Sequence, residues 1–237
     1  MGRLLLHRYP QRHLPSDVLG DKHSSGRGEP APFSGGAESR AVSGRLFRQL
    51  TCGSIESIRI DLVEGLALKE GIHSHPASIG AFTQDMGSCY VLVLDGTLLE
   101  RKTVFHEVSH MIDRRLEWDS LTRKDGLYSE EAWLALQPEG FRYTMSYTAA
   151  PEELPESLEP GYFINGYSLT FHTEDRAVLL AAAMEYDHLE FEPGSGRRAK
   201  LQFYADCIRD CFDTEGWPEV TAWEQVLHEP SGRYVYE

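Results

Sequence analysis

An uninterrupted run of apolar and aromatic residues at positions 89–94 constrains the fold of this chain most strongly. These residues are of types that favour strands, and Asp95-Gly96 offers a turn directly after them. A strand without polar positions has to be covered on both faces, so the run predicts a buried central strand. The alternating pattern of Ser57–Val63 predicts a second strand, and residues 77–82 predict a weaker third strand that contains a glycine.

Several helices are predicted after these strands. The apolar periodicity of residues 98–116 predicts a long helix. Because the strands come first and the helices follow, the sequence favours an α+β fold over a sheet of alternating strands and helices. Further helices are predicted at residues 129–136, 174–186 and 198–212, an extended or irregular segment at 162–171, and a short last strand at 233–236.

The first 45 residues differ in composition from the rest of the chain. Half of residues 15–44 are Gly, Pro or Ser, and the few aliphatic residues among them show no periodicity. Such a segment cannot bury enough apolar surface to offset the entropy lost on ordering. Residues 1–45 are therefore predicted to be a disordered basic tail: a flexible leader, the product of a misassigned start, or a functional basic arm. Residues 46–237 are predicted to form one domain.

The charge and hydropathy of the chain argue against two classes of partner. The sequence has 23 Lys and Arg against 37 Asp and Glu, and its net charge of −14 opposes non-specific binding to nucleic acid. No run approaches the ~18 apolar residues of a membrane-spanning helix.

Leu4-Leu5-Leu6 is too short for the core of a signal peptide, so the default expectation is a cytoplasmic protein. The four cysteines are too few for a disulfide scaffold.

The segment His106-Glu107-Val108-Ser109-His110 matches the pattern H-E-x-x-H within the predicted long helix. The two histidines lie one turn apart, opposite the apolar face of the helix. Both imidazoles can therefore reach one tetrahedral Zn²⁺ at ~2.0–2.1 Å, and Glu107 points beside them, where it can hold a metal-bound water. The alternative is a pair of surface histidines on an amphipathic helix. The residues of the apolar face are Val104, Phe105, Val108, Met111, Ile112 and Leu116.

A catalytic zinc site needs a third protein ligand and an open position. Glu174 is the favoured ligand, because it begins a helix so apolar that it has to be buried, and a buried acid needs a partner. Glu185 faces the same side about 16 Å further along the axis, so only one of the two can bind the ion. Asp113 is expected to orient a histidine from behind rather than to bind the metal. The remaining candidates are His172, Asp175 and His188.

Tyr167 lies seven residues before Glu174 in a segment without a clear helical pattern. A phenol beside a zinc-bound carbonyl can donate a hydrogen bond to the oxygen as its negative charge develops. The alternative is a tyrosine of the hydrophobic core.

Together these residues resemble the catalytic domain of anthrax lethal factor and the related Pro-Pro endopeptidases, which are gluzincin metallopeptidases. The resemblance depends on His106-Glu107-x-x-His110-x-x-Asp113 and on the spacing of Tyr167 and Glu174, and it covers roughly residues 55–215. It implies a zincin-like fold with a small mixed sheet, an active-site helix and a mainly helical C-terminal part. It also implies one Zn²⁺ bound by His106, His110 and Glu174, with Glu107 as general base and Tyr167 facing the reacting carbonyl.

The resemblance further implies an edge strand before the active-site helix, on which extended peptide substrates lie. Residues 77–82 are placed to be that strand, with Ser78, Ile79, Gly80 and Ala81 as its substrate-binding positions. The chain also departs from the family pattern. The family's glutamate often sits in a phenylalanine-rich helix start, whereas Asp175-Arg176-Ala177 follow Glu174 here. Asp175 is therefore either a residue behind the ligands or the third ligand itself.

The expected function is that of a zinc-dependent peptidase, which cleaves a peptide or protein substrate with a zinc-bound water that Glu107 activates. The alternative is a catalytically silent protein of zincin fold that binds zinc or a partner. The family is usually exported, so the resemblance implies secretion if the start is misassigned.

Overall fold

The computed structural model describes residues 49–66, 79–185 and 191–228. The predictions for residues 1–45 and 233–236, for Ser78 and for His188 therefore lie outside the described residues. The described part of the chain is a mixed α+β structure, with a small three-stranded sheet followed by helices. This arrangement confirms the predicted α+β class and its small mixed sheet.

The sheet consists of β1 (Ser57–Val63), β2 (Ala81–Asp85) and β3 (Cys89–Asp95), in the order β1-β3-β2. β3 lies in the centre and pairs in parallel with β1 and antiparallel with β2. One face of β3 packs on the helices through Tyr90, Leu92 and Leu94, and the other face packs Val91 and Val93 in a smaller apolar cluster. The prediction of a central strand buried on both faces is confirmed.

The third strand begins later than the sequence predicts. It starts at Ala81 and runs to Asp85, so Ile79 and Gly80 precede it instead of lying within it. β2 is, like β1, an edge strand of the described sheet, and its residues Thr83 and Gln84 are polar. Because these residues are polar, the pattern of apolar residues did not indicate the second half of the strand.

The helices are longer or shorter than predicted by a few residues. α1 (Arg101–Thr122) carries the H-E-x-x-H segment, and α3 (His172–Met184) begins two residues before Glu174. The others are α2 (Glu130–Leu134), α4 (Gly196–Cys211) and α5 (Gln225–His228). The predicted irregular segment contains a short 3₁₀ helix, Gly166–Leu169. None of the helices in the described ranges is long and apolar enough to cross a membrane.

α1 is covered on more sides than the predicted amphipathic helix. It packs against β2 and β3 on one side and against α3 and α4 on the other. Met111, Ile112 and Leu116 are buried as predicted, but Ser109 and Asp113 are buried too. The apolar pattern of the helix did not indicate this burial, which α3 and α4 provide. The side of α1 that carries His106 and His110 therefore faces another helix, and the candidate site lies at this contact.

Candidate metal centre

His106 and His110 of α1 meet Glu174 of α3 at the contact between the two helices. The Nε2 atoms of His106 and His110 lie 3.0 and 3.4 Å from Glu174 Oε2, and 3.2 Å from each other. Ligand atoms at the corners of a regular tetrahedron with bonds of ~2.0–2.1 Å are about 3.3 Å apart. These three side chains could hold a metal ion. Their separations are those that a small tetrahedral ion requires.

The burial of the three groups differs in a way that leaves one side of the site accessible. The side chain of Glu174 is 1% exposed, whereas those of His106 and His110 are 16% and 14% exposed. The glutamate therefore closes the site towards the core, and the histidines face outward. Three protein ligands with an accessible fourth side are the arrangement of catalytic zinc sites, because structural sites take all four ligands from the protein.

Glu107 is buried beside this group without taking part in it. The residue is 4% exposed, and its Oε2 atom has no hydrogen-bond partner among the described residues. A buried carboxylate oxygen without a partner costs free energy. An unpartnered buried acceptor next to His106 in the sequence, together with a donor set of two imidazoles and one carboxylate, fits the implied ion. The backbone oxygen of Glu107 accepts a hydrogen bond from the hydroxyl of Thr83 at 3.2 Å, which ties α1 to β2.

Tyr167 lies next to the histidines, as its predicted role requires. Its ring centroid is 6.1 Å from that of His106. The ring is held on the 3₁₀ helix Gly166–Leu169, where the side chain of Asn165 accepts a hydrogen bond from the backbone N–H of Ser168 at 3.1 Å. Tyr167 is half-buried beside His106.

Gly166 permits a close approach of two backbone segments directly beside Tyr167. A Cβ atom at this position would lie 1.8 Å from the carbonyl oxygen of Pro151. We expect Gly166→Ala to lower the free energy of unfolding by about 3 kcal/mol, because the overlap can be relieved only by moving backbone. Urea unfolding measures this loss. Gly96→Ala is the control, since its added Cβ would meet Leu62 at an ordinary 3.5 Å. Equal stability of the two variants would contradict the close approach.

Asp113 does not contact either histidine, which corrects its predicted role. Its Oδ1 atom accepts hydrogen bonds from Nε of Arg176 and from the hydroxyl of Tyr204, both at 2.7 Å. Asp113 lies about two turns after His106 on α1, and its side chain faces the core side where α3 and α4 pass. The pair Asp113–Arg176 therefore fastens α1 to α3 behind the site, and it acts on the ligands only through the helices.

Asp175 is turned away from the histidines, so it is neither the third ligand nor a partner of the ligands. Its Oδ2 atom accepts hydrogen bonds from Nζ of Lys200 and from the hydroxyl of Tyr143, both at 2.7 Å. Both partners lie away from His106 and His110, and the group of possible metal ligands contains Glu174 and not Asp175. Burial raises the pKa of Asp175 and lowers that of Lys200, and their contact opposes both shifts. Burial and Asp175 also raise the pKa of Tyr143, which stays protonated as a donor.

The other candidate ligands do not reach the site. His172 is buried, its Nδ1 accepts a hydrogen bond from Arg176 at 3.1 Å, and its Nε2 lies 3.6 Å from Oε1 of Glu130. Burial and the charge of Arg176 lower the pKa of His172 to about 3, so it is neutral at physiological pH. Glu185 lies exposed at the far end of α3. Of the predicted ligands within the described residues, the structure brings His106, His110 and Glu174 together.

Tyr147 is the residue that sequence reasoning missed. Its hydroxyl donates a hydrogen bond to Oε1 of Glu174 at 3.2 Å, and its ring stacks on that of Tyr167 with centroids 6.1 Å apart. Tyr147 lies in a short 3₁₀ helix, Tyr147–Ala149, within a segment that has no apolar periodicity. Tyr147 and Glu174 are 27 positions apart in the sequence, so no local pattern indicates that their side chains meet.

The chemistry of the site has to be inferred from its own geometry. Comparisons of the chain with models of protein families, with curated proteins and with solved structures find no match. The resemblance to lethal factor and the Pro-Pro endopeptidases therefore depends only on the motif at positions 106–113 and on the spacing of Tyr167 and Glu174.

Proposed function

We propose that this protein is a zinc-dependent peptidase of zincin-like fold. The observation that carries the proposal is the convergence of His106, His110 and Glu174 beside a buried Glu107 whose Oε2 has no partner among the described residues. Two imidazoles and one carboxylate are a common ligand set of catalytic zinc. When bound there, the ion supplies Lewis-acid chemistry, which lowers the pKa of water and polarises a carbonyl.

The remaining groups have the types and positions that amide hydrolysis needs. Glu107 accepts the proton of the attacking water through Oε2 and then delivers it to the leaving amine. Tyr167 donates a hydrogen bond from its phenol to the carbonyl oxygen as negative charge develops there. Both residues adjoin the histidines without being ligands, so neither is committed to holding the ion.

The edge strand β2 supports a peptide as the substrate. β2 pairs with β3 on one side, lies at the end of the described sheet and packs against α1. An extended peptide can add to such an edge through main-chain hydrogen bonds, which makes binding tolerant of side-chain sequence. Ala81 of the predicted substrate-binding positions belongs to this strand, while Ile79 and Gly80 lie directly before it.

Substitution of Glu107 by glutamine tests the proposal. We expect Glu107→Gln to lower the rate of peptide hydrolysis by a factor of about 10²–10⁴ without loss of zinc, because the amide cannot accept the proton and Glu107 is not a ligand. A digest of a peptide library, read by mass spectrometry, compares zinc-loaded wild type with the variant. Glu100→Gln is the matched control, since Glu100 is exposed directly before α1.

Each outcome of the digest has a distinct meaning. Products from the wild type and from Glu100→Gln, but not from Glu107→Gln, support the peptidase. If wild type and Glu107→Gln both bind zinc fully and are equally inert across the library, the protein is a catalytically silent zinc-binding protein, and the proposal is wrong.

A further inference from the structure

The two carboxylate oxygens of Glu174 have different partners. Oε2 faces the Nε2 atoms of His106 and His110 at 3.0 and 3.4 Å. Oε1 accepts a hydrogen bond from the hydroxyl of Tyr147 at 3.2 Å. One oxygen is thus directed at the imidazoles, while a neutral donor occupies the other.

The ring of Tyr147 is held in place by contacts that do not involve Glu174. It packs against Phe171, the residue before α3, with ring centroids 4.5 Å apart, and it stacks on Tyr167 at an angle of 29°. These two aromatic contacts restrict the orientation of the phenol ring. The packing of the rings therefore helps to place the hydroxyl near Glu174.

The backbone before Tyr147 is also fixed relative to α3. The N–H groups of Thr144 and Met145 donate hydrogen bonds to the carbonyl oxygens of Leu169 and Thr170, both at 2.9 Å. Met145 has φ 55°, in the left-handed region that a residue with a side chain adopts at a cost. A strained residue persists where its surroundings determine it, so the turn that brings Tyr147 to Glu174 is a defined feature of this segment.

We propose that Tyr147 is a positioning residue for the metal ligand Glu174, an inference that rests on the proposed metal site. The terminal torsion of a glutamate is broad, so a free carboxylate would present either oxygen, or both, to an ion. The hydrogen bond from Tyr147 fixes this torsion and leaves Oε2 as the oxygen directed at the ion. Fixing the ligand before binding reduces the ordering that metal binding requires, and such partners of ligands strongly affect metal affinity.

Tyr147→Phe tests this role, because it removes the hydroxyl and keeps the ring that packs on Phe171 and Tyr167. We expect the dissociation constant for Zn²⁺, measured on the full chain by competition with a chromophoric chelator, to rise about 10- to 100-fold. The absorption spectrum of the Co²⁺-substituted protein is expected to change as well, because the coordination of Glu174 is altered. The urea unfolding curve of the metal-free protein shows whether the variant is folded.

Tyr143→Phe is the matched control. It removes another partly buried phenol hydroxyl that bonds to a carboxylate on α3, that of Asp175, which is not directed at the histidines. We expect this variant to lose stability and to keep the zinc affinity and the Co²⁺ spectrum of the wild type.

The outcomes separate this inference from the proposed function. Wild type that binds no Zn²⁺ overturns the metal site and the role of Tyr147 together. Wild type that binds Zn²⁺ with the same affinity as Tyr147→Phe overturns the role of Tyr147 alone. Equal losses of zinc affinity in Tyr147→Phe and Tyr143→Phe would show a general effect of destabilisation, and would overturn it too.

Discussion

Replacement of Glu174 by alanine is expected to weaken Zn²⁺ binding more than about 100-fold. Loss of a partner behind a metal ligand already costs 10- to 100-fold in affinity, so loss of the ligand itself should cost more. The Oε2 atom of Glu174 is the only carboxylate oxygen among the described residues that lies in the group with the two imidazoles. Among the described residues, the group contains no second carboxylate that could replace Glu174. Zinc competition with a chromophoric chelator measures the affinity.

Two further variants make this result specific. Glu174→Gln keeps the size of the side chain and an oxygen that can accept the hydrogen bond of Tyr147, so it separates loss of charge from loss of packing. Glu185→Ala is the matched control, because Glu185 is an exposed acid at the end of the same helix. We expect Glu185→Ala to bind Zn²⁺ as the wild type does. A Glu174→Ala variant with wild-type affinity would contradict the assignment of the third ligand.

The buried pair of Lys200 and Asp175 should have the largest effect on stability. Both side chains are inaccessible to solvent, and Nζ lies 2.7 Å from Oδ2. Removal of one partner leaves the other charge buried without compensation, which costs about 3 to 5 kcal/mol. We therefore expect Lys200→Met to lower the free energy of unfolding by that amount, with a fall in Tm of about 10 °C. Urea unfolding and thermal denaturation measure the two quantities.

A double variant and a surface variant complete this experiment. Asp175→Asn combined with Lys200→Met removes both charges of this pair and keeps an acceptor for Tyr143, so it should be more stable than Lys200→Met alone. Lys124→Met replaces an exposed lysine and should change stability by no more than about 0.5 kcal/mol. A loss for Lys200→Met as small as that for Lys124→Met would show that the pair does not stabilise α3 against α4.

Local patterns of the sequence are sufficient to predict the main elements and the residues that meet at the candidate site. The central strand, the alternating β1 and the helices are determined by apolar periodicity, which follows from burial along one chain segment. The candidate ligands His106 and His110 follow from their spacing on one helix. Glu174 was correctly preferred to Glu185 as the residue that meets them, because the start of an apolar helix is buried and its other end is exposed.

What the sequence could not predict depends on contacts between distant segments. Asp113 and Asp175 lie close to the candidate ligands in the sequence. In the structure, however, their carboxylates form ion pairs with Arg176 and Lys200. Burial of the polar side of α1 likewise depends on α3 and α4, which the pattern of α1 alone does not contain. Tyr147 reaches Glu174 through a turn in a segment without periodicity, so only the folded structure reveals it.

The zinc content of the full-length wild-type protein tests the central claim most directly. Protein loaded with Zn²⁺, separated from free metal by gel filtration and measured by atomic emission, is expected to hold one zinc ion per chain. The double variant His106→Ala/His110→Ala, treated in parallel, is expected to hold none. Wild type that retains no zinc, or a double variant that retains as much as the wild type, would contradict the assignment of this site as a zinc centre.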